Sequence, residues 1–321
     1  MEKKKRTPAA RLPAQRLTLR QLQTFVAVAR AGSTMAAAQE IALSQSATSA
    51  SLNELEGLLG GKLFNRVGRR LVLNEHGRSM LPQARWLLDG ARAIESQFGK
   101  AGQPSAPRLR IAASTTIGNW VLPKVIAAYR RKEDSARIAV EIGNTRQVAK
   151  AVGNFEVDLG FVEGPTTELQ LKVLPWMTDE LVIACSPRHP LARLHASRSG
   201  ARRRISREEL SDATWLLRES GSGTREMVDR VLQPHLHRLK TETDLGSAEA
   251  IMQAAAEGLG ITCLSRFAVD DMVKLQKLAV LRTALPALRR TFYLVHHERR
   301  YMSPTLERFI AHCMAFNRKR K

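Results

Sequence analysis

The sequence predicts a two-part molecule: an N-terminal all-α winged helix-turn-helix with a linker helix, followed by a two-lobed α/β domain. Three observations carry this expectation. Residues 33–60, STMAAAQEIALSQSATSASLNELEGLLG, read as two short helices on a tight turn. Residues 80–98 place apolar side chains at spacings of four and three. Beyond residue 108, short apolar strands alternate with helices, the pattern of a mostly parallel sheet with covering helices.

The first helix of the pair is expected over about Thr34–Ile41, capped by Ser33, whose hydroxyl accepts from N–H groups that lack an intrahelical partner. Ala36, Ala37 and Ala38 allow a second helix to approach closely. Ser44 is the next cap. Ala47 stands where a capping box would need Glu or Gln, so a plain cap is expected. Ala47, Leu52, Leu55, Leu58 and Leu59 are expected on one apolar face. The opposite arc, Ser46, Ser49, Ala50 and Asn53, flanked by Gln45 and Glu56, is short-chained and nearly uncharged. A solvated helix face usually carries Lys and Glu; this one offers groups that match base edges, since Gln pairs with adenine and Ala meets a thymine methyl. A poorly charged surface helix is the competing reading. Before the pair, Leu19, Leu22, Phe25, Val26 and Ala29 form a stripe that closes a three-helix core. After it, Leu63-Phe64 and Leu71-Val72-Leu73 bracket Arg66, Gly68, Arg69 and Arg70, as in a two-stranded wing with a basic tip. Arginines there hold phosphates and fix register without reading sequence. The DNA-facing set is thus expected to be Thr34, Ser44, Gln45, Ser46, Ser49, Ala50, Asn53, Arg66, Arg69 and Arg70.

These segments resemble the LysR-type transcriptional regulators: the RQLQTFVAVARAGS opening, the AxxxxxxSQSATSxSLNxLE core from Ala37, and the LFNRVGRRLVLNEHG wing. The resemblance runs to about Cys313, and its effector region is most similar to the branch containing the YeiE-type and Calvin-cycle regulators. One departure stands out. Many members carry Pro at the position of Ser46 and a basic residue at that of Ala50, which moves base reading towards Gln45, Ser46 and Ser49. The resemblance implies an antiparallel pair of linker helices, with a seam of Met80, Ala84, Leu87, Ala91, Ile94 and Phe98. An amphipathic helix packed on its own domain is the alternative, and Pro82 should bend or restart the helix. Pairing implies a dimer, or a tetramer, on a split, roughly palindromic DNA site, with RNA polymerase as a further partner.

Composition sets the bounds. A chain of 321 residues suits two or three domains, and a formal charge of +21 suits a polyanion partner. Basic residues are spread along the whole chain, so charge alone does not locate the site. Cys185, Cys263 and Cys313 lie far apart, without metal or disulfide spacing; buried reduced thiols are expected, with a redox sensor as the minor reading. No apolar run reaches membrane-spanning length, and the N-terminus lacks a secretory core, which points to the cytoplasm. Residues 1–16 read as a disordered basic arm, 17–77 as the DNA-binding domain, 78–98 as the linker helix and 99–107 as a hinge. Residues 108–317 read as the effector domain, with lobe I at about 108–179 and 282–317 and lobe II at about 180–281. The chain would cross between lobes near Asp179 and Leu281. The family implies a likeness to periplasmic (type 2) solute-binding proteins. Residues 195–205 form a basic insertion with no assigned role.

Open α/β sheets bind ligands beyond the C-terminal ends of their strands. Three such turns are rich in hydroxyls: Ser114, Thr115 and Thr116; Ser220, Ser222 and Thr224; and Ser247. Hydroxyls with free N–H groups at helix starts make an anion site, although Ser and Thr are also common as simple caps. By resemblance, the equivalents of Ser114, Thr116 and Ser222 hold effectors. Asn144, Thr145 and Glu163 are further strand-end candidates, and Glu163 would repel an anion unless it is paired. The expected effector is a small anion, with a sulfur oxyanion as first choice; no cofactor is expected. Catalysis is not expected, because the His235/His237 and His296/His297 pairs diverge and no GxSxG or HExxH occurs. A transport-type solute-binding module and a DNA-organising protein without a ligand are the remaining alternatives.

Overall fold

The computed structural model describes residues 16–98, 108–132, 137–164, 166, 168–195, 203–236 and 239–318. The expected basic arm up to Gln15, the 99–107 hinge and residues 196–202 of the basic insertion lie outside them. The chain divides into two compact units at Gly99–Lys100.

The N-terminal unit holds α1 (Leu19–Ala31), α2 (Thr34–Glu40), α3 (Gln45–Leu59), β1 (Phe64–Val67), β2 (Arg70–Leu73) and α4 (Glu75–Phe98). Ser33 caps α2 by accepting from the Ala36 N–H, and Ser44 caps α3 by accepting from the Ala47 N–H, a plain cap in both cases. Leu22, Phe25, Val28, Leu52, Leu55, Leu63 and Phe64 are buried together. The apolar face of α3 is narrower than its sequence suggests. Ala47, Leu58 and Leu59 are exposed, and Glu56 is buried in their stead. Its carboxylate accepts from the Leu63 N–H at 2.9 Å and from Lys62 at 2.7 Å, so it satisfies backbone at the entry to the wing. Leu19, expected in the core stripe of α1, is likewise exposed, and Val28 is buried. The wing is an antiparallel ribbon in which Val67 pairs with Arg70 around Gly68 at φ 60°. The Leu71 N–H donates to Gly32 O at 2.8 Å, tying the wing to the turn before α2.

Helix α4 runs unbroken through Pro82. Ala84 and Leu88 are buried against the core of this unit, with Met80 packed beside them. Leu87 and Ile94 are exposed, and Ala91 is half-buried. The expected seam therefore divides: its first two members serve their own domain, and Leu87 and Ile94 lie open; the Phe98 side chain lies outside the described residues.

The C-terminal unit begins with β3 (Arg108–Ser114), a π-helical turn (Ile117–Val121), α5 (Leu122–Arg130), β4 (Arg137–Gly143), α6 (Thr145–Gly153) and β5 (Leu159–Val162). The long β6 (Leu171–Cys185) leads to α7 (Pro190–His195), α8 (Arg207–Asp212), β7 (Thr214–Arg218), α9 (Gly223–Leu232), β8 (Lys240–Leu245) and α10 (Ala248–Ala256). It ends with β9 (Ile261–Ser265), α11 (Arg266–Lys274), β10 (Ala279–Val280), β11 (Leu288–His297) and α12 (Pro304–Arg318). The nine-stranded sheet runs β4-β3-β5-β11-β6-β9-β7-β8, with β10 on β6. Strands β3, β4 and β5 are mutually parallel at one end, as are β7, β8 and β9 at the other. The crossing strands β6 and β11 are antiparallel and join the two ends. Separate cores mark the lobes: Ile111, Leu122, Phe161 and Phe309 in the first, Ile183, Trp215, Leu232 and Ile261 in the second.

In β6, Trp176 and Met177 pack in the first core and Leu181 and Ile183 in the second, on either side of Asp179. On the return the second core extends beyond the expected Leu281. Leu281 and Leu288 still pack in the second core, and the ladder pairs Asp179 with Arg290. Just before Leu281, Ala279 and Val280 form the short β10 paired to β6.

Candidate functional site

On the N-terminal unit, Gln45, Ser46, Ala50 and Asn53 are exposed along α3, and Ser49 is half-buried. Gln45 Nε2 donates to Ser49 Oγ at 3.1 Å and to Thr34 Oγ1 at 3.4 Å, so the three polar groups form one preset array across the two helix starts. Ser44 and Ser46 hydroxyls lie 3.0 Å apart. Arg66, Arg69 and Arg70 are exposed on the wing. The surface thus combines short polar groups on a helix with free guanidinium groups, as a major-groove reader with a phosphate clamp requires.

In the C-terminal unit, the first two hydroxyl-rich turns meet at the two crossing strands. The Glu163 side chain leaves the end of β5 and is buried. Its Oε1 accepts from the Thr116 N–H at 2.8 Å. Its Oε2 accepts from Thr224 Oγ1 and from Arg290 Nη1, each at 2.7 Å. Arg290 also donates through Nε to Asp179 at 2.7 Å, and through Nη1 to Thr224 Oγ1 at 2.9 Å. Ser265 Oγ donates to Asp179 at 2.7 Å. One buried guanidinium thus serves two buried carboxylates. Burial pushes the Glu163 carboxyl up, but Arg290, the Thr224 hydroxyl and the Thr116 N–H outweigh it and hold it at about 2. For Asp179 burial dominates and raises it, with Arg290 and Ser265 offsetting part.

Around this cluster, the Ser114 and Thr145 hydroxyls are buried without a hydrogen-bond partner among the described residues. Thr115 Oγ1 donates to Gly143 O at 3.3 Å and accepts from Arg218 of the second lobe at 3.3 Å. Asn144 caps α6 in a capping box with Gln147. Ser222 is buried and caps α9. Gly223 closes the gap between lobes: a Cβ there would meet Thr145 Oγ1 at 2.7 Å and Glu163 Cβ at 2.9 Å. Ser220 is exposed, one residue outside the buried turn. Ser247 caps α10 and donates to Glu249, which bonds Asn119 of the first lobe, so it sits in a second bridge between lobes.

Sequence reading missed Arg290 and Arg218. The first was legible in principle. Leu288, Arg290, Phe292 and Leu294 share one face of β11, so the alternation places a cation on the buried side. Burial of Arg218 has no comparable signal. The three cysteines are buried, and burial pushes the Cys185 and Cys263 thiols up to about 12, which makes them poor nucleophiles. Among the described residues no helix is long and apolar enough to cross a membrane.

A winged helix-turn-helix and a two-lobed α/β unit in one chain define a transcription regulator with an effector-binding domain. The comparisons give the family. Residues 19–78 match the model of the bacterial regulatory helix-turn-helix protein, lysR family, and residues 102–317 match the LysR substrate binding domain. The chain belongs to the LysR family of transcriptional regulators, and it is not an enzyme. It is 45% identical over 297 residues to the uncharacterised HTH-type transcriptional regulator YeiE of Escherichia coli K12, covering 92% of this chain and 97% of that one. The fold is similar to that of a full-length OxyR variant from Pseudomonas aeruginosa, with TM-score 0.76, 22% identity, and 94% and 95% of the two chains covered. The regulatory domain of Synechocystis PCC6803 CcmR, solved in complex with 2-PG, matches with TM-score 0.59 at 28% identity, over 66% of this chain and 97% of that one.

Proposed function

We propose that this regulator senses a small oxyanion in the interlobe cleft and binds a split, roughly palindromic promoter site as a dimer of dimers. The observation that carries the effector half is the setting of Glu163. A carboxylate is already held there by a helix-start N–H, a threonine hydroxyl and a buried guanidinium. That donor set suits any small oxyanion. With Glu163 and Asp179 both facing Arg290, the buried cluster carries one negative charge in excess. An added anion is therefore accommodated by displacing the Glu163 carboxylate, with Ser114 and Thr145 supplying the unused hydroxyls. A sulfur oxyanion is the first candidate, and the 2-PG held by the similar CcmR domain keeps phosphorylated acids in the set.

On the DNA half, Thr34, Ser44, Gln45, Ser46, Ser49, Ala50 and Asn53 read base edges, while Arg66, Arg69 and Arg70 hold phosphates. The exposed Leu87 and Ile94, with Ala91 between them, supply the linker-helix seam; Phe98 is assigned to it by spacing alone. Ligand alters the lobe arrangement and thereby promoter geometry and RNA polymerase recruitment, in the cytoplasm. It does so only to the extent that it binds one arrangement better than the other.

The test is a thermal-shift panel on the full chain with sulfite, sulfate, phosphate and small carboxylates, repeated with Thr116→Val. One anion should raise the unfolding midpoint with saturation, and the variant should lose that shift while keeping its DNA affinity. A flat panel rejects the oxyanion reading.

A further inference from the structure

A hollow lies beside the crossing strands, bounded by α9, and it borders the buried cluster through Glu163 and Arg290. Arg289, Thr291 and Tyr293 alternate along β11 and so share one face of it. Thr178 stands directly opposite Thr291 in the ladder. Met227 and Arg230, three apart on α9, bring one helix face over these residues. Together with Glu163, Gly164 and Arg290 they line a cavity of about 300 Å³.

The charges in this hollow are unbalanced. Arg290 is committed to Glu163 and Asp179. Arg230 and Arg289 make no ion pair or hydrogen bond with any described residue, and neither do the side chains of Thr178, Thr291 and Tyr293. Two free guanidinium groups and three free hydroxyls therefore face a cavity whose one carboxylate, Glu163, is bonded to Arg290. Guanidinium forks match phosphate oxygens in pairs, and hydroxyls donate to those that remain. The volume exceeds what a bare phosphate fills, and Met227 with the Tyr293 ring offers apolar contact to a short carbon chain.

We propose that this groove is a second anion site, which takes the dianion of a small phosphate monoester. The groove shares Glu163 and Arg290 with the cleft, and Arg230 and Arg289, which line the groove and are not cleft candidates, let the two readings be tested apart.

The experiment is isothermal titration of the full chain with glycerol 3-phosphate, and separately with sulfite. The variants are Arg230→Gln/Arg289→Gln, Arg230→Gln alone, and Ser114→Ala/Thr116→Val. Both arginines are exposed, and circular dichroism checks that the variants fold. The expected result is saturable binding of glycerol 3-phosphate that weakens about tenfold or more in the double arginine variant, partly in the single one, and persists in the cleft variant. Absence of saturable binding to the wild-type chain overturns the proposal. So does binding that survives the arginine changes, and so does equal loss in the cleft variant, which would mean one shared site. If sulfite fails to bind while the ester behaves as expected, the cleft reading falls and the groove stands.

Discussion

Arg290 and Glu163 form a buried ion pair at 2.7 Å, and the arginine comes from a crossing strand while the glutamate ends a strand of the first lobe. The same guanidinium binds Asp179 at 2.7 Å and touches Thr224 of the second lobe. Removing it leaves two buried carboxylates without a counter-ion. Arg290→Met should therefore destabilise the effector unit by about 3–5 kcal/mol. Urea unfolding of the full chain, followed by the effector unit's transition, measures this; a loss near zero would show that the carboxylates find other partners or protonate at no cost.

Ser114→Ala should behave in the opposite way. The Ser114 hydroxyl is buried without a partner among the described residues, and such a group costs about 1–3 kcal/mol to leave unbonded. Its removal should leave stability unchanged or raised by up to about 1 kcal/mol, while anion binding weakens. A drop in the unfolding midpoint without a change in binding would remove Ser114 from the site.

Glu163 also predicts a pH dependence. Its folded value of about 2 lies below the ordinary 4.5, so its stabilisation is complete above pH 4.5 and is lost as pH falls towards 2. Asp179, raised by burial, acts in the opposite sense: its contribution is present at low pH and is lost as pH rises. The informative quantity is the difference between wild type and Glu163→Gln. That difference should be constant above about pH 5 and shrink below it. Parallel stability curves across this window would show that Glu163 is not held as an anion.

Arg66→Ala and Arg70→Ala should weaken binding to all DNA sequences alike. Each lost phosphate contact should lower the magnitude of the log K against log salt slope by about 0.9. Gln45→Ala should instead reduce discrimination between operator and random DNA with little change in slope. Fluorescence anisotropy over a salt series separates the two, and an unchanged slope in the arginine variants would remove the wing contact.

The local elements were legible because their signals are local. Ser33 and Ser44 announce helix starts by a hydroxyl placed before a helical pattern, and both cap as expected, while Ser222, expected to hold a ligand, caps α9 as well. The strand-end turns were legible for the same reason. What the sequence concealed was commitment over long separations. Glu56 looked like a flank of the reading face, because nothing near it shows that the Leu63 N–H needs an acceptor. Glu163 looked like a group that would repel an anion, because its cation lies 127 residues away in another strand. Ala84 fitted a seam by spacing, but spacing does not say which of two apolar partners an exposed stripe will meet.

Strands β6 and β11 leave and re-enter the first lobe side by side, with Asp179 and Arg290 opposed in register. Glu180 and Arg289, the two ends of the intervening segment, are therefore neighbours in a single ladder. In genetic terms the second lobe is a cassette. A different segment that begins and ends on adjacent antiparallel strands fits the same two attachment points, without altering the strand order of the first lobe or any residue of the DNA-reading unit. The lobe that carries Ser222 and Thr224 is thus replaceable through one contiguous exchange, with the winged helix-turn-helix left as it is.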